Sequence, residues 1–385
     1  MATSTRLPKL RNPFLNALRK SGLLTNDDLI GVIAEAGIDP VKTDPIQIAA
    51  LLVRKKLLTK YQAMQLLNGR TQGFVLESYK ILDGIRQDRV GMVFLAEHAD
   101  TRKRVALKVL PTDRASDPTI LRAFMHEVRS AAKVHHPNVA RVLDMGYWQG
   151  THFVVSEFIP APTLDRIIAA KGPMAPHAAA QVIAQAAVSL FAAHQRELIH
   201  RDVKPGNIAL SADRRVILLD LGLTHMLENP WARVTKRIST KEYAEEIAHI
   251  PPEQAWGCEM DARGDVYGLG STFYYLLTGK VPFPGLAPEM MAERQIRGVP
   301  APSAVRPGIP REIDLLVTKM GAKDPYERYP SAREVLIAMS AWLTVDQWQG
   351  LGISQAEAQA ATNARPVPPP PPPRKRGFFA RLFGW

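Results

Sequence analysis

Eight residues, His200–Asn207 (HRDVKPGN), and the LLDLG that follows at Leu218–Gly222 constrain this chain more than any other part of it. They set an Asp, a Lys, an Asn and a second Asp at fixed spacings around one pair of loops. Moving a phosphoryl group from ATP needs that set: a carboxylate to receive a hydroxyl proton, a cation for the transferring phosphate, and two metal ligands.

The flanking periodicity indicates what carries these loops. From Tyr79, the runs YKIL, VGMVFLA and RVALKVL alternate apolar and polar residues and are rich in β-branched side chains, which predicts strands. After Pro160 the pattern turns helical, and HAAAQVIAQAAVSLFAAH predicts one buried helix. Strands followed by helices give an α+β class. Residues 1–78 predict a small helical domain instead. Asn12–Leu24 carries Phe14, Leu15, Leu18 and Leu23 at helical spacing. Asn26 or Asp27 caps a second helix, Asp44-Pro45 opens a third, and Thr59 with Gln62 makes a capping box before a fourth. This segment reads equally as a docking module and as a brace on the domain that follows.

Charge narrows the partners. The net charge of +12 divides into +5 in residues 1–78, +5 in residues 365–385 and about +2 in all that lies between. The central domain is therefore not a basic nucleic-acid binder. A single cysteine, Cys258, excludes an intramolecular disulfide framework and fits a reducing compartment. No apolar run approaches the roughly 18 residues of a spanning helix, and MATSTRLPKLRNPF lacks a signal-peptide core. The expectation is a cytoplasmic protein. Residues 346–373 read as a linker in which Pro368–Pro373 form a polyproline II spacer. The tail beyond it, residues 374–385 (RKRGFFARLFGW), mixes Phe and Leu with Arg and Lys, which suits weak contact with an anionic membrane surface or a partner groove. That contact would place the protein peripherally at a membrane.

On these motifs the chain resembles the eukaryotic-like (Hanks-type) Ser/Thr protein kinases of bacteria, over roughly Tyr79–Leu343. The resemblance implies a two-lobed kinase domain at 79–345, with a small lobe at about 79–159 and a large lobe at about 160–345. It implies Mg·ATP bound between the lobes and protein substrates phosphorylated on Ser or Thr, the protein itself among them. Asp202 becomes the catalytic carboxylate, Lys204 the phosphate cation, and Asn207 and Asp220 the Mg²⁺ ligands. Lys108 of VALK holds the ATP phosphates and pairs with Glu127, with Ala106 beside the nucleotide. FVVSEFI, Phe153–Ile159, becomes the hinge: Glu157 and Ile159 meet adenine through their backbones, and Ser156 takes the gatekeeper position. Glu253 of PPE is expected to pair with Arg328, and Asp265 to steady the catalytic loop backbone. Arg201 is expected to bind a phosphate on the activation segment, where Thr235, Ser239, Thr240 and Tyr243 are candidates.

Two departures from the family pattern stand out. The phosphate loop reads Arg86-Gln87-Asp88-Arg89-Val90-Gly91-Met92-Val93, so of three expected glycines only Gly91 remains, with Val93 after it. Gly84 lies two places early. Ahead of PPE, Glu245 and Glu246 stand where the family usually has Gly-Thr, and Glu246 is expected to pair with Lys204 and block the substrate site. The preferred reading is an active kinase. The alternatives are a pseudokinase that binds nucleotide or acts as a scaffold, and a membrane-surface adaptor carrying the fold on its basic tail.

Overall fold

The computed structural model describes residues 12–35, 37, 39, 41–87, 91–110, 118–222, 248–255, 257–283 and 297–342. Asp88, Arg89, the activation-segment candidates, Glu245, Glu246, the polyproline spacer and the basic tail lie outside the described residues. The chain divides into two compact units, one comprising residues 1–133 and 140–159, the other residues 134–139 and 160–385.

The first unit holds the N-terminal helices and a sheet. The helices are α1 (Pro13–Ser21), α2 (Asn26–Glu35), α3 (Pro45–Arg54) and α4 (Lys60–Leu67). Their starts follow from local chemistry. Asn12 caps α1 by accepting from the Phe14 and Leu15 amides, and Asp44 caps α3 from Ile46 and Gln47. Helix α2 corrects the sequence reading: its cap is Thr25, not Asn26 or Asp27. Thr25 Oγ1 accepts from Asp28 N at 3.1 Å while Asp28 Oδ2 accepts from Thr25 N at 3.3 Å, a reciprocal box. Phe14, Leu15, Leu18, Leu29, Ile48, Leu52, Leu66 and Phe74 close a core among the helices.

The sheet has six strands in the order β1-β2-β3-β4-β6-β5, every neighbouring pair antiparallel. They are β1 (Val75–Leu76), β2 (Tyr79–Gln87), β3 (Met92–His98), β4 (Arg104–Val109), β5 (Val142–Trp148) and β6 (Thr151–Glu157); helix α5 (Pro118–Ala131) lies between β4 and β5 in the chain. Strand alternation separates the two faces. Ile81, Phe94, Leu107 and Val155 pack together on one face, while Val93 lies opposite Lys108 on the other.

The second unit is mostly helical: α6 (Leu164–Lys171), α7 (Pro176–His194), α8 (Pro252–Ala255), α9 (Ala262–Thr278), α10 (Arg311–Met320) and α11 (Ala332–Ala338), with a hairpin of β7 (Ile208–Leu210) and β8 (Val216–Leu218). Helix α7 is the helix expected from HAAAQVIAQAAVSLFAAH, and α9 is buried along almost its whole length. Helices apolar all round belong in an interior, and these two form the core with Val317, Met320, Val335 and Leu336. No helix among the described residues is long and apolar enough to cross a membrane.

Candidate active site

The HRDVKPGN loop emerges after α7 and runs into β7 through a single 3-10 turn at Pro205–Asn207. Its shape is set from beneath by α9. Asp265, fully buried on that helix, accepts from the backbone amides of His200 and Arg201, each at 2.8 Å. His194, in the last turn of α7, puts Nε2 2.8 Å from the same carboxylate. Burial pushes the Asp265 carboxyl up, but the hydrogen bond and charge of His194 and the His200 backbone amide outweigh it. The net result lies below the usual carboxylate range. Helix α9 comes this close because Gly268 has no side chain: a Cβ there would lie 2.6 Å from the Val203 carbonyl oxygen.

The loop is also tied on its other side. His200 Nδ1 accepts from Asp202 N at 3.2 Å, so its proton sits on Nε2, which donates to Leu219 O at 2.8 Å. That bond joins the catalytic loop to the segment carrying Asp220. Gln254 of α8 donates to Arg201 O at 3.0 Å. Arg201 and Asp220 both adopt left-handed backbone, with φ of 62° and 59°. Non-glycine residues hold that conformation only where their surroundings impose it, often at functional sites.

Within this frame the polar side chains converge. Lys204 Nζ lies 2.9 Å from Asp202 Oδ2. Asn207 donates Nδ2 to both Asp202 O and Asp202 Oδ2 at 2.8 Å. Its other amide atom, Oδ1, is buried without a protein hydrogen-bond partner. A buried carbonyl oxygen left unmatched costs free energy unless something electropositive meets it. The structure thus brings together Asp202, Lys204 and Asn207, with Asp220 on the adjoining turn. A hard divalent cation suits an amide oxygen and a carboxylate, with phosphate oxygens and water filling its remaining positions, so these residues fit Mg²⁺.

The residues expected to hold nucleotide lie in the first unit. Lys108 is 4% exposed on β4, opposite Val93 in the ladder. Ala106 is the register partner of Ser156, whose hydroxyl reaches Ala106 O at 3.5 Å. Glu127 is half-buried on α5. Gly91 leads into β3. The FVVSEFI strand ends at Glu157, whose amide donates to Arg141 O at 2.8 Å; Ile159 lies past its end.

Farther from the chemistry, Glu253 and Arg328 form the expected pair, Nη1 to Oε1 at 2.6 Å and Nη2 to Oε2 at 2.8 Å. The sequence reading missed His194, Gln254 and Gly268. His194 carried one usable signal: it follows Leu190, Phe191, Ala192 and Ala193 as the one polar side chain of the last turn of α7.

Comparison with known proteins agrees with this geometry. The family model for the protein kinase domain matches residues 79–339. Serine/threonine-protein kinase PknB of Mycobacterium tuberculosis (strain ATCC 25618 / H37Rv) is 38% identical over 251 residues, covering 63% of this chain and 39% of that protein. Serine/threonine-protein kinase PrkC of Bacillus subtilis (strain 168) is 30% identical over 291 residues, covering 75% of this chain and 44% of that one. The chain therefore matches about two-fifths of the length of these curated relatives. The crystal structure of the Mycobacterium tuberculosis PknI kinase domain superposes with a TM-score of 0.54 at 27% identity, covering 70% of this chain and 98% of that one. A strand-rich first unit, a helical second unit and an HRDVKPGN loop held by Asp265 agree with those matches: the chain belongs to the protein kinase family, and the curated relatives it is similar to are bacterial serine/threonine-protein kinases.

Proposed function

We propose that the protein is an active Ser/Thr kinase that transfers the γ-phosphate of Mg·ATP to hydroxyls of protein substrates. The observation that carries this reading is the buried, unmatched Oδ1 of Asn207 beside the Asp202–Lys204 pair.

Asp202 receives the proton of the attacking hydroxyl, and the Asn207 amide holds its carboxylate in place. Lys204 offsets negative charge on the transferring phosphoryl group. Asn207 Oδ1 and Asp220 would hold the metal, which would supply positive charge to offset the phosphate groups. Lys108, supported by Glu127, holds the ATP phosphates. Gly91, Val93 and Ala106 line the nucleotide, and the backbones of Glu157 and Ile159 meet its base. The Asp-x-Lys spacing of the loop is the Ser/Thr form, which sets the acceptor class.

Labelled phosphate incorporation from Mg·ATP tests this, on the chain itself and on a generic basic protein. Asp202→Asn is expected to lower incorporation by about 10²–10⁴-fold in protein that remains folded at the assay temperature. Incorporation no greater in the wild type than in Asp202→Asn, with Mg²⁺ and with Mn²⁺, would overturn the proposal in favour of a pseudokinase.

A further inference from the structure

The N-terminal helices end on the strand that leads into the phosphate loop, through an unusual use of a helix cap. Thr59 and Gln62 form the reciprocal capping box of α4: Gln62 N donates to Thr59 Oγ1 at 3.1 Å, and Thr59 N donates to Gln62 Oε1 at 2.9 Å. Each side chain has one hydrogen-bonding function left. The Thr59 hydroxyl donates to Leu82 O at 2.5 Å, and Gln62 Nε2 donates to Ile81 O at 2.6 Å. Gln62 is 1% exposed, so water does not compete for that bond.

These carbonyls need partners because β2 is irregular. Its register against β3 shifts between Ile81 and Asp83, and again between Gly84 and Arg86. A bulge leaves an extra residue out of the ladder, and β1 covers only Tyr79 and Lys80 on the other edge. Tyr61, the residue between the two clamping side chains, reaches the next part of the strand. Its ring meets Phe94 edge-on at 6.3 Å, and a Cβ on Gly84 would lie 3.3 Å from its Cε2. Gly84 and Phe94 are register partners, so Tyr61 covers one cross-strand pair. A further bond runs from Lys80 Nζ to Leu23 O at 3.2 Å.

We infer that Thr59, Tyr61 and Gln62 are positioning residues for nucleotide binding: from the face opposite Lys108 they fix the register of the bulged β2, and through it β3 and β4. The register is what carries the effect. Arg86 lies opposite Val93, and Val93 opposite Lys108. A slip in β2 therefore moves both residues proposed to meet ATP. The helical segment thus supplies rigidity to strands flanking a loop that keeps one of its three expected glycines. This inference rests on the kinase reading for its nucleotide, but not for its clamp.

The test is Gln62→Glu in the full chain. Glu keeps the acceptor that the capping box needs and removes the donor to Ile81 O. Met64→Gln, on the exposed side of the same helix, is the control. For Gln62→Glu, KM for ATP should rise about tenfold with kcat within about threefold, the scale of one buried hydrogen bond. Amide exchange over residues 79–98 should accelerate about tenfold, with exchange in α7 and α9 unchanged. If Gln62→Glu does not fold, Tyr61→Leu takes its place under the same readouts. A folded variant with wild-type exchange across those strands overturns the inference, whatever the activity. A wild type that transfers no phosphate defeats the kinase reading alone; the exchange comparison then still decides the clamp.

Discussion

The HRDVKPGN loop and the strands β2 to β4 are held in opposite ways. The loop belongs to the second unit and is fastened by the core of that unit, through Asp265, His194, His200 and the absent side chain of Gly268. The strands β2 to β4 belong to the first unit, and helix α4, which precedes them in the chain, fastens β2 by bonds to its backbone. The difference teaches where a family fold has freedom. The loop geometry is fixed by groups that also sit next to the chemistry. The strand geometry can be supplied by any element that satisfies two carbonyls and covers a glycine.

If that contrast holds, the largest effect comes from Asp265. Asp265→Ala leaves two backbone amides and a histidine without their acceptor in a fully buried place. It should cost about 3–5 kcal/mol, as loss of one partner from a buried charged network does, read by denaturant unfolding. The pH dependence gives a second check. Because the folded carboxyl titrates below its unfolded value of about 3.9, its contribution is complete above that pH and is lost as pH falls through the folded value. The acid limb of the stability profile should therefore be flatter in Asp265→Ala, and an unchanged limb would remove Asp265 from the account.

The loop was largely legible in the sequence for a physical reason: its polar groups lie within a few residues of one another, and chemistry dictates their types. Asp202, Lys204 and Asn207 meet because one tight turn brings them together. The pairing of Glu253 with Arg328 came from family resemblance and held. The N-terminal segment was legible only locally. Thr59 and Gln62 read as a capping box, and they are one, but their second bonds depend on which strand lies beside the helix. Gly84 lies two places too early to stand in for a phosphate-loop glycine, and in the fold the Tyr61 ring packs against it. Thr25 was passed over because Asn26 and Asp27, also good capping residues, follow it. Asp28, three residues on, was the signal that decides.

A smaller effect is expected at the start of β2. Tyr79 donates its hydroxyl to Asp144 of β5 at 3.1 Å. Burial, the Asp144 charge and that hydrogen bond push its pKa up to about 12. A raised folded pKa means that stability present below the unfolded value of about 10 is lost as pH climbs toward the folded one. Tyr79→Phe should cost about 1–2 kcal/mol near neutral pH, and it should remove part of the loss between pH 10 and 12 in a thermal-melt series. Equal alkaline slopes in the two proteins would place the titration elsewhere.

The smallest effect separates a plain cap from a cap that is also a clamp. Thr25 caps α2 and touches nothing beyond its own helix start among the bonds described for it. Thr25→Ala should cost about 1 kcal/mol and leave exchange in the sheet as it was. Substituting Thr59 in the same way should loosen β2 as well as α4. If the two variants give matching exchange maps, the comparison between region and region fails.

By itself the sequence determined the family, the residues of the HRDVKPGN loop that meet one another and the order of strand-rich and helix-rich parts. These rest on residue types close together in the chain and on hydrophobic period, both of which are local. Tertiary structure alone decided which strand the first helices meet and which ring packs against Gly84. Those answers depend on bulge carbonyls and a ring brought together by packing between segments some twenty residues apart, and no local pattern records which groups will meet there.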